Sequence, residues 1–378
     1  MAQTTDVVVI GGGIVGCSIA FELAKAGVRV CVLEQGGFGE ESSAAAAGML
    51  SGQHGVTNFG PRYQLHHEAR ELHATLAEDL RERTGLDVQF CRWGLLELLF
   101  TPGEMRAADR CYAAQTQQGL RVERLSREET LRLEPALTPD MQGAIRFPDE
   151  AHVHNGRLSI ALAEASRRLG AELHSGAPAV ALLRQGERVV GVRTPTEAVQ
   201  AETVVVANGA WSSALVRSLG LTLPVKPMRG QMLAVRTVPR AVHQVVYGHH
   251  LYVVPRPNGE TLIGATVEDV GFRKEVTLEG LEELVQAGRR IAPGIMGLPV
   301  LRTWAGLRPG SPDGLPLVGP VDGLSNLILA VGHHRNGILL GPMTGLLVKQ
   351  LLVDGVRSPH LELLRPERFP LWQGAVEA

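Results

Sequence analysis

The stretch Asp6–Gly16, DVVVIGGGIVG, decides the fold. Its apolar part is an unbroken β-branched run, as in strands covered on both faces of a parallel sheet. Gly11, Gly13 and Gly16 then follow in G-x-G-x-x-G spacing. The first glycine permits a tight turn, and the second lets the backbone approach a pyrophosphate. The third lets the following helix pack closely on the sheet. Ile14–Ala26 carries apolar residues at helical spacing and closes on Gly27 as a C-terminal cap. Val28–Leu33 reads as a second strand and ends at Glu34, 18 residues beyond Gly16. Strand, glycine turn, helix, strand and acid form a dinucleotide-binding βαβ unit. Its helix N-terminus faces the phosphates, and Glu34 suits a ribose diol.

Composition sets the wider frame. A length of 378 residues suggests two domains at roughly 150 residues each. With 44% hydrophobic and 20% charged residues, the chain has the balance of a globular protein with a sizeable core. Lys and Arg number 37 against 39 Asp and Glu, so no basic excess points to nucleic acid or anionic lipid. Cys17, Cys31, Cys91 and Cys111 lack zinc-ligand spacing and fit a reducing compartment. No run of about 20 apolar residues is expected to span a bilayer. The start MAQTTDVVVIGGG runs into a strand without the pattern of a signal peptide. The expectation is a cytoplasmic protein.

Further along, Gln64–Arg83 has the spacing of an amphipathic helix, and Ser126–Glu129 has the form of a capping box. Helices are expected over Arg157–Leu169, Leu278–Ala292 and Ile338 to Leu352, and buried strands at Thr203–Ala207 and Leu327–Val331. Short strands are expected at Leu95–Phe100, Ala179–Leu183, Val189–Arg193, Gln231–Arg236, Leu251–Pro255 and Thr261–Ala265. Parallel-type elements therefore occupy 1–84, 150–222 and 310–370, while mixed, sheet-rich segments occupy 85–149 and 223–309. The fold class is α/β: a discontinuous Rossmann-like domain with an interleaved α+β domain on a mostly antiparallel sheet.

The glycine fingerprint alone does not separate NAD from FAD. Only one copy is present, and Gly332–Gly337, GHHRNG, follows a buried strand and opens a helix. That helix start would aim donors at an electron-rich group such as the pyrimidine edge of a reduced flavin. Arg308, in WAGLRPGSPDG, lies on a strand end or loop where a guanidinium can grip a carboxylate in bidentate fashion. Tyr252, in GHHLYVVPR, could set its hydroxyl beside the same substrate. The histidine pairs are adjacent and cannot share a helix face. No metal site is expected, and no G-x-S-x-G elbow or P-loop supports acyl or phosphoryl transfer.

The combination of VVVIGGGIVG, SSAAAAGML, VVVANGAWS, WAGLRPGSPDGLPLVG and GHHRNGILLGP resembles the bacterial FAD-dependent glycine oxidases of the D-amino acid oxidase superfamily. The resemblance implies a glutathione-reductase-type FAD-binding domain and a set of site residues. Ile14 and Val15 would lie at the pyrophosphate, and Glu34 and Gln35 at the adenosine. Ser42, Ser43, Ala47, Gly48 and Met49 would line phosphate and flavin, with Ala179 at the adenine. His333, His334, Arg335, Asn336, Gly337, Ile338 and Leu339 would wrap the isoalloxazine. Arg308 and Tyr252 would hold the substrate, with Arg335 at its mouth and His250 as an active-site neighbour.

Non-covalent FAD is implied, because no cysteine follows Cys111 where related sarcosine oxidases attach their flavin. The implied reaction is oxidation of glycine, sarcosine or a small D-amino acid by hydride transfer to flavin N5. Dioxygen would be the acceptor, and hydrogen peroxide would form. Supply of glycine imine for the thiazole of thiamine would be its pathway. Three alternatives stay open: a dehydrogenase passing electrons to a quinone or partner protein, a non-catalytic flavin-binding subunit, and a nicotinamide dehydrogenase. The partners expected are a small amino acid and dioxygen, not nucleic acid, and a homo-oligomer is left open.

Overall fold

The computed structural model describes residues 3–372; Met1 and Ala2 of the expected first segment lie outside the described residues. The strand Gln3–Ile10 is central. Val30–Leu33 flanks it on one side and Ala198–Val206 on the other, both parallel to it. Leu324–Val331 and Glu172–His174 extend the parallel order outward. The antiparallel strands Ala181–Gln185, Arg188–Arg193 and Leu317–Val321 complete an eight-stranded mixed sheet.

The sequence run explains this central place. Side chains alternate across a strand, so Val7 and Val9 face one layer while Val8 and Ile10 face the other. The first pair packs in the core formed with helices Ile14–Lys25, Asn155–Arg168 and Gly337–Lys349. The second pair packs with Leu182, Val204 and Leu215 beyond the sheet.

Gly337–Asp354 is 18 residues long and, by length and composition alone, apolar enough to cross a bilayer. More than half of it is buried inside the protein. A Cβ on Gly345 would come within 2.5 Å of the Ser18 carbonyl oxygen, so this helix lies tightly on Ile14–Lys25.

A second eight-stranded sheet runs in the order Val300–Gly310, Lys226–Arg236, Glu260–Gly264, Leu251–Pro255, Val245–Gly248, Leu95–Leu99, Gly143–Phe147, Glu123–Ser126. It is antiparallel throughout except where Val245–Gly248 meets Leu95–Leu99. Helices Pro102–Gln117 and Leu278–Ile291 cover it. The first of these is absent from the sequence reading, although Thr101 and Glu104 form a complete capping box at its start. Met49–Leu50 and Ala151–His152 form a small ribbon between the two sheets.

Candidate active site

A cavity of about 750 Å³ opens between the sheets, toward the upper end of the range of roughly 300–1,000 Å³ for ligand sites. At one end lies the glycine turn. Gly11 has φ +106°, and a Cβ there would meet the Ala207 carbonyl oxygen at 2.6 Å. A Cβ on Gly16 would fall 1.8 Å from the Gly11 carbonyl oxygen, so turn and helix start touch each other. Helix Ile14–Lys25 begins after Gly13 with no acid in its first turn. Its positive end therefore faces the cavity, with the Ile14 N–H donating to Ser43 Oγ at 2.9 Å.

Glu34 is 8% exposed, and its carboxylate accepts from the Gly12 N–H at 2.6 Å and the Gly36 N–H at 2.8 Å. Each bond uses one lone pair per oxygen and leaves capacity for a diol. The donors, the small residues and the acid all suit a dinucleotide.

The other end is built by register on the second sheet. Glu97, Tyr247, Tyr252, Gly264, Met232 and Trp304 are successive cross-strand neighbours in one row. Arg308 lies on Val300–Gly310, and its guanidinium covers Gly230, where a Cβ would sit 2.2 Å from both terminal nitrogens. Its Nη1 donates to the Thr266 carbonyl at 3.0 Å and the Arg229 carbonyl at 3.3 Å. Burial lowers the Arg308 pKa, and neighbouring Tyr252 opposes that shift. Burial raises the Tyr252 pKa, against Arg308 and Arg335, so its hydroxyl stays neutral at pH 7. A cation and a neutral hydroxyl side by side suit a carboxylate.

His54 faces the same end. Its Nε2 lies 3.1 Å from Glu97 Oε2, and its ring is edge-on to Tyr247 at 4.9 Å and to Phe147 at 5.6 Å. Buried Glu150 fixes this loop by accepting the backbone N–H groups of Gly52, Gln53 and His54. Between the two ends, His333 is buried with Nε2 3.0 Å from Thr344 Oγ1; burial pushes its pKa down to about 3 and keeps the ring neutral. Helix Gly337–Lys349 starts at Asn336 with no side-chain cap and no acid in its first turn, so its N–H groups are open to the cavity.

Gly11, Gly13, Ile14, Val15, Glu34, Gln35, Ser42, Ser43, Ala47, Gly48, Met49 and Ala179 line the cavity. So do Tyr252, Arg308 and the run His333 to Ile338, with Arg335 exposed at the rim. Ala179 precedes the strand Ala181–Gln185 instead of lying in it.

Three expected residues lie elsewhere. Gly16 sits behind the turn as a packing residue. Leu339 is buried in the core, where its carbonyl partners His73 Nε2 at 3.1 Å. His250 is outside the cavity lining: with His249 it forms the exposed hairpin turn between Val245–Gly248 and Leu251–Pro255, both at positive φ.

Sequence reasoning missed Arg62 and His66 in the lining, noticed Tyr247 without giving it a role, and set His54 at the cavity wall without one. Tyr247 was recoverable, since a two-residue turn at His249–His250 forces it opposite Tyr252. His54 carried no signal, because nothing local announces its partner Glu97. Among the described residues, no group of three or more His, Cys, Asp or Glu could hold a metal ion.

The profile of the DAO family, FAD dependent oxidoreductase, matches residues 6–351. A glycine oxidase of Geobacillus kaustophilus is 36% identical over 354 residues, covering 93% of this chain and 94% of its own. A bifunctional protein ThiO/ThiG of Trichormus variabilis is 36% identical over 381 residues, and this chain spans only 55% of its length. The crystal structure of glycine oxidase from Geobacillus kaustophilus superposes with a TM-score of 0.92 at 35% identity, over 98% of this chain and 100% of that one.

Proposed function

The chain belongs to the DAO family of FAD-dependent oxidoreductases, and from that premise we propose that it oxidatively deaminates glycine, sarcosine or a small D-amino acid. The observation that carries this reading is the pairing of the half-buried Arg308 guanidinium with Tyr252 in the same cavity as the glycine turn. FAD, when bound, would supply a two-electron acceptor for the Cα hydride, with dioxygen as the final acceptor and hydrogen peroxide as its product. Arg308 takes the substrate carboxylate, and the Tyr252 hydroxyl donates to it. That anchorage fixes the Cα hydrogen, and orientation supplies much of the acceleration. The amine reacts as a neutral lone pair, so no side chain need act as base. Water hydrolyses the released imine to the 2-oxo acid and ammonia, or to an amine from sarcosine.

On the cofactor side, Glu34 would accept from the ribose, Ile14 and Ser43 would hold the pyrophosphate, and the Gly337 helix start would serve the flavin. The cofactor is held without a covalent bond. The two sheets support a division into a discontinuous FAD domain, 1–84, 150–222 and 310–370, and a substrate domain, 85–149 and 223–309.

The test is anaerobic addition of glycine, sarcosine, D-alanine and D-proline to the yellow protein, followed by air. Bleaching by a substrate and prompt recovery with peroxide are expected. A flavin that bleaches but reoxidises slowly in air would replace the oxidase with a dehydrogenase. A flavin that none of the four bleaches would overturn the reading.

A further inference from the structure

Arg256 is not among the residues that line the cavity, yet it is the largest fully buried side chain among the described residues, at 2% exposure. A buried guanidinium is costly unless every donor is used. Its hydrogen bonds go to no carboxylate among the described residues. Nη1 donates to the Val153 carbonyl, and Nη2 to the Ala47 carbonyl at 2.7 Å and Asn155 Oδ1 at 2.9 Å. Asn155 Nδ2 in turn donates to the carbonyls of Ser43 at 2.6 Å and Ala44 at 2.9 Å. Trp304 Nε1 takes the Ala45 carbonyl at 3.0 Å, and the Val153 N–H takes that of Gly48 at 2.9 Å.

Five carbonyls between Ser43 and Gly48 are thus held by groups behind the loop. Its front lines the cavity. The sequence SSAAAAG offers little but backbone there, so any grip on a cofactor depends on which way the peptides face. Each trans peptide points N–H opposite to C=O, so holding the carbonyls of Ala47 and Gly48 turns the N–H groups of Gly48 and Met49 the other way.

The origin of the clamps adds a second observation. Arg256 lies just past the strand that carries Tyr252, and Trp304 lies on the strand that carries Arg308. Each clamp is four residues from its substrate residue, and an even spacing puts both on one face of the sheet. Burial lowers the Arg256 pKa to about 10, which leaves a cation behind the loop at neutral pH.

We propose that Arg256, with Asn155 and Trp304, is a positioning device that fixes the cofactor loop Ser42–Met49 against the Arg308–Tyr252 wall and so sets the spacing of cofactor and substrate. This rests on the FAD reading above.

The test compares Arg256→Met, Arg256→Lys and Asn155→Ala with the wild type. The FAD dissociation constant of each apoprotein is measured, and then the flavin absorption band and the rate of reduction by glycine at saturating FAD. Loss of the charge-assisted bonds in Arg256→Met should raise the FAD dissociation constant about tenfold or more. The flavin band should shift and reduction should slow, with the KM for glycine changed less than about twofold, since the carboxylate clamp is intact. Lysine should restore part of the loss. If Arg256→Met does not fold, Asn155→Ala decides, because it removes two carbonyl bonds and one acceptor of Arg256 while the guanidinium keeps the Val153 and Ala47 carbonyls. Lowered melting temperature with wild-type FAD affinity, spectrum and reduction rate would overturn the proposal. A wild-type protein that binds no FAD would instead overturn the FAD reading itself.

Discussion

The nucleotide end of the cavity is made by neighbours in sequence, and the carboxylate end by neighbours in register. Gly11, Gly13, Ile14 and Glu34 come from one βαβ unit, whose local geometry already points its donors at a phosphate. Arg308, Tyr252, Tyr247, Glu97 and His54 come from five separate segments, and strand pairing or a loop brings them together. Damage to the first end should therefore loosen the cofactor and spare the chemistry. Damage to the second should spoil the chemistry and spare the cofactor.

The largest expected effect tests that contrast at Arg308. Arg308→Ala removes the cationic partner of a buried carboxylate, a loss of roughly 2–5 kcal/mol. At about 1.4 kcal/mol per tenfold, kcat/KM for glycine should fall from about 30-fold to several thousand-fold. FAD content should hardly change. Steady-state kinetics on glycine and methylamine decide it: equal losses on both, or loss of the flavin, would make Arg308 a structural residue.

Gly230 sharpens the same comparison without touching the guanidinium chemically. An alanine Cβ would fall 2.2 Å from both Arg308 terminal nitrogens, which are the far end of a flexible side chain. Gly230→Ala should therefore fold, move the guanidinium and lower kcat/KM for glycine by about five- to a hundredfold, an overpacking cost of roughly 1–3 kcal/mol. An unchanged kcat/KM would show that the observed place of the guanidinium is not the working one.

This contrast also explains what could be read from the sequence. The βαβ unit was legible because strand run, glycine spacing, helix and acid all lie within residues 6–34, and each has its own local cause. Arg308 and Tyr252 were legible only through the motifs around them. His250 lies off the lining for a physical reason. Adjacent to a site residue in sequence, it occupies the hairpin turn, and the chain reverses there before Tyr252 returns to the sheet. The helix Pro102–Gln117 went unread although Thr101 and Glu104 stood in capping-box spacing, because only Ala108, Cys111 and Gln115 of its residues are buried. Trp304 and Arg256 were opaque, since their partners lie on segments far away in sequence, around Ala45–Ala47 and Val153–Asn155.

Glu34 probes the sequence-local end. Glu34→Gln keeps one acceptor for the Gly12 and Gly36 N–H groups and turns an NH₂ toward the other. The FAD dissociation constant should rise about tenfold, the difference between a charge-assisted and a mismatched hydrogen bond. At saturating FAD, turnover should stay within about twofold of wild type, since ribose contacts leave the ring alone. Titration of apoprotein with FAD, followed by kcat at saturation, tests both halves. Reduced turnover with normal FAD affinity would erase the division between the ends.

The smallest effect belongs to His54, and it asks how far the register-built wall extends. Its ring is held by Glu97 on one side and set edge-on to Tyr247 on another, one cross-strand step from Tyr252. With the carboxylate on Arg308 as proposed, a ring so fixed would limit the room beyond the substrate α-carbon. His54→Ala should leave kcat/KM for glycine within about threefold and raise the ratio of D-alanine and D-proline to glycine by about five- to tenfold. That is the low end of what one or two methylenes are worth in a fitted pocket. Glu97→Gln should shift the same ratio less, because the amide can still hold the ring by a neutral hydrogen bond. The three kcat/KM values, measured side by side in wild type and both variants, read the effect directly. A ratio unmoved in His54→Ala would end the substrate wall at Tyr247, and His54 would then serve only to anchor its loop.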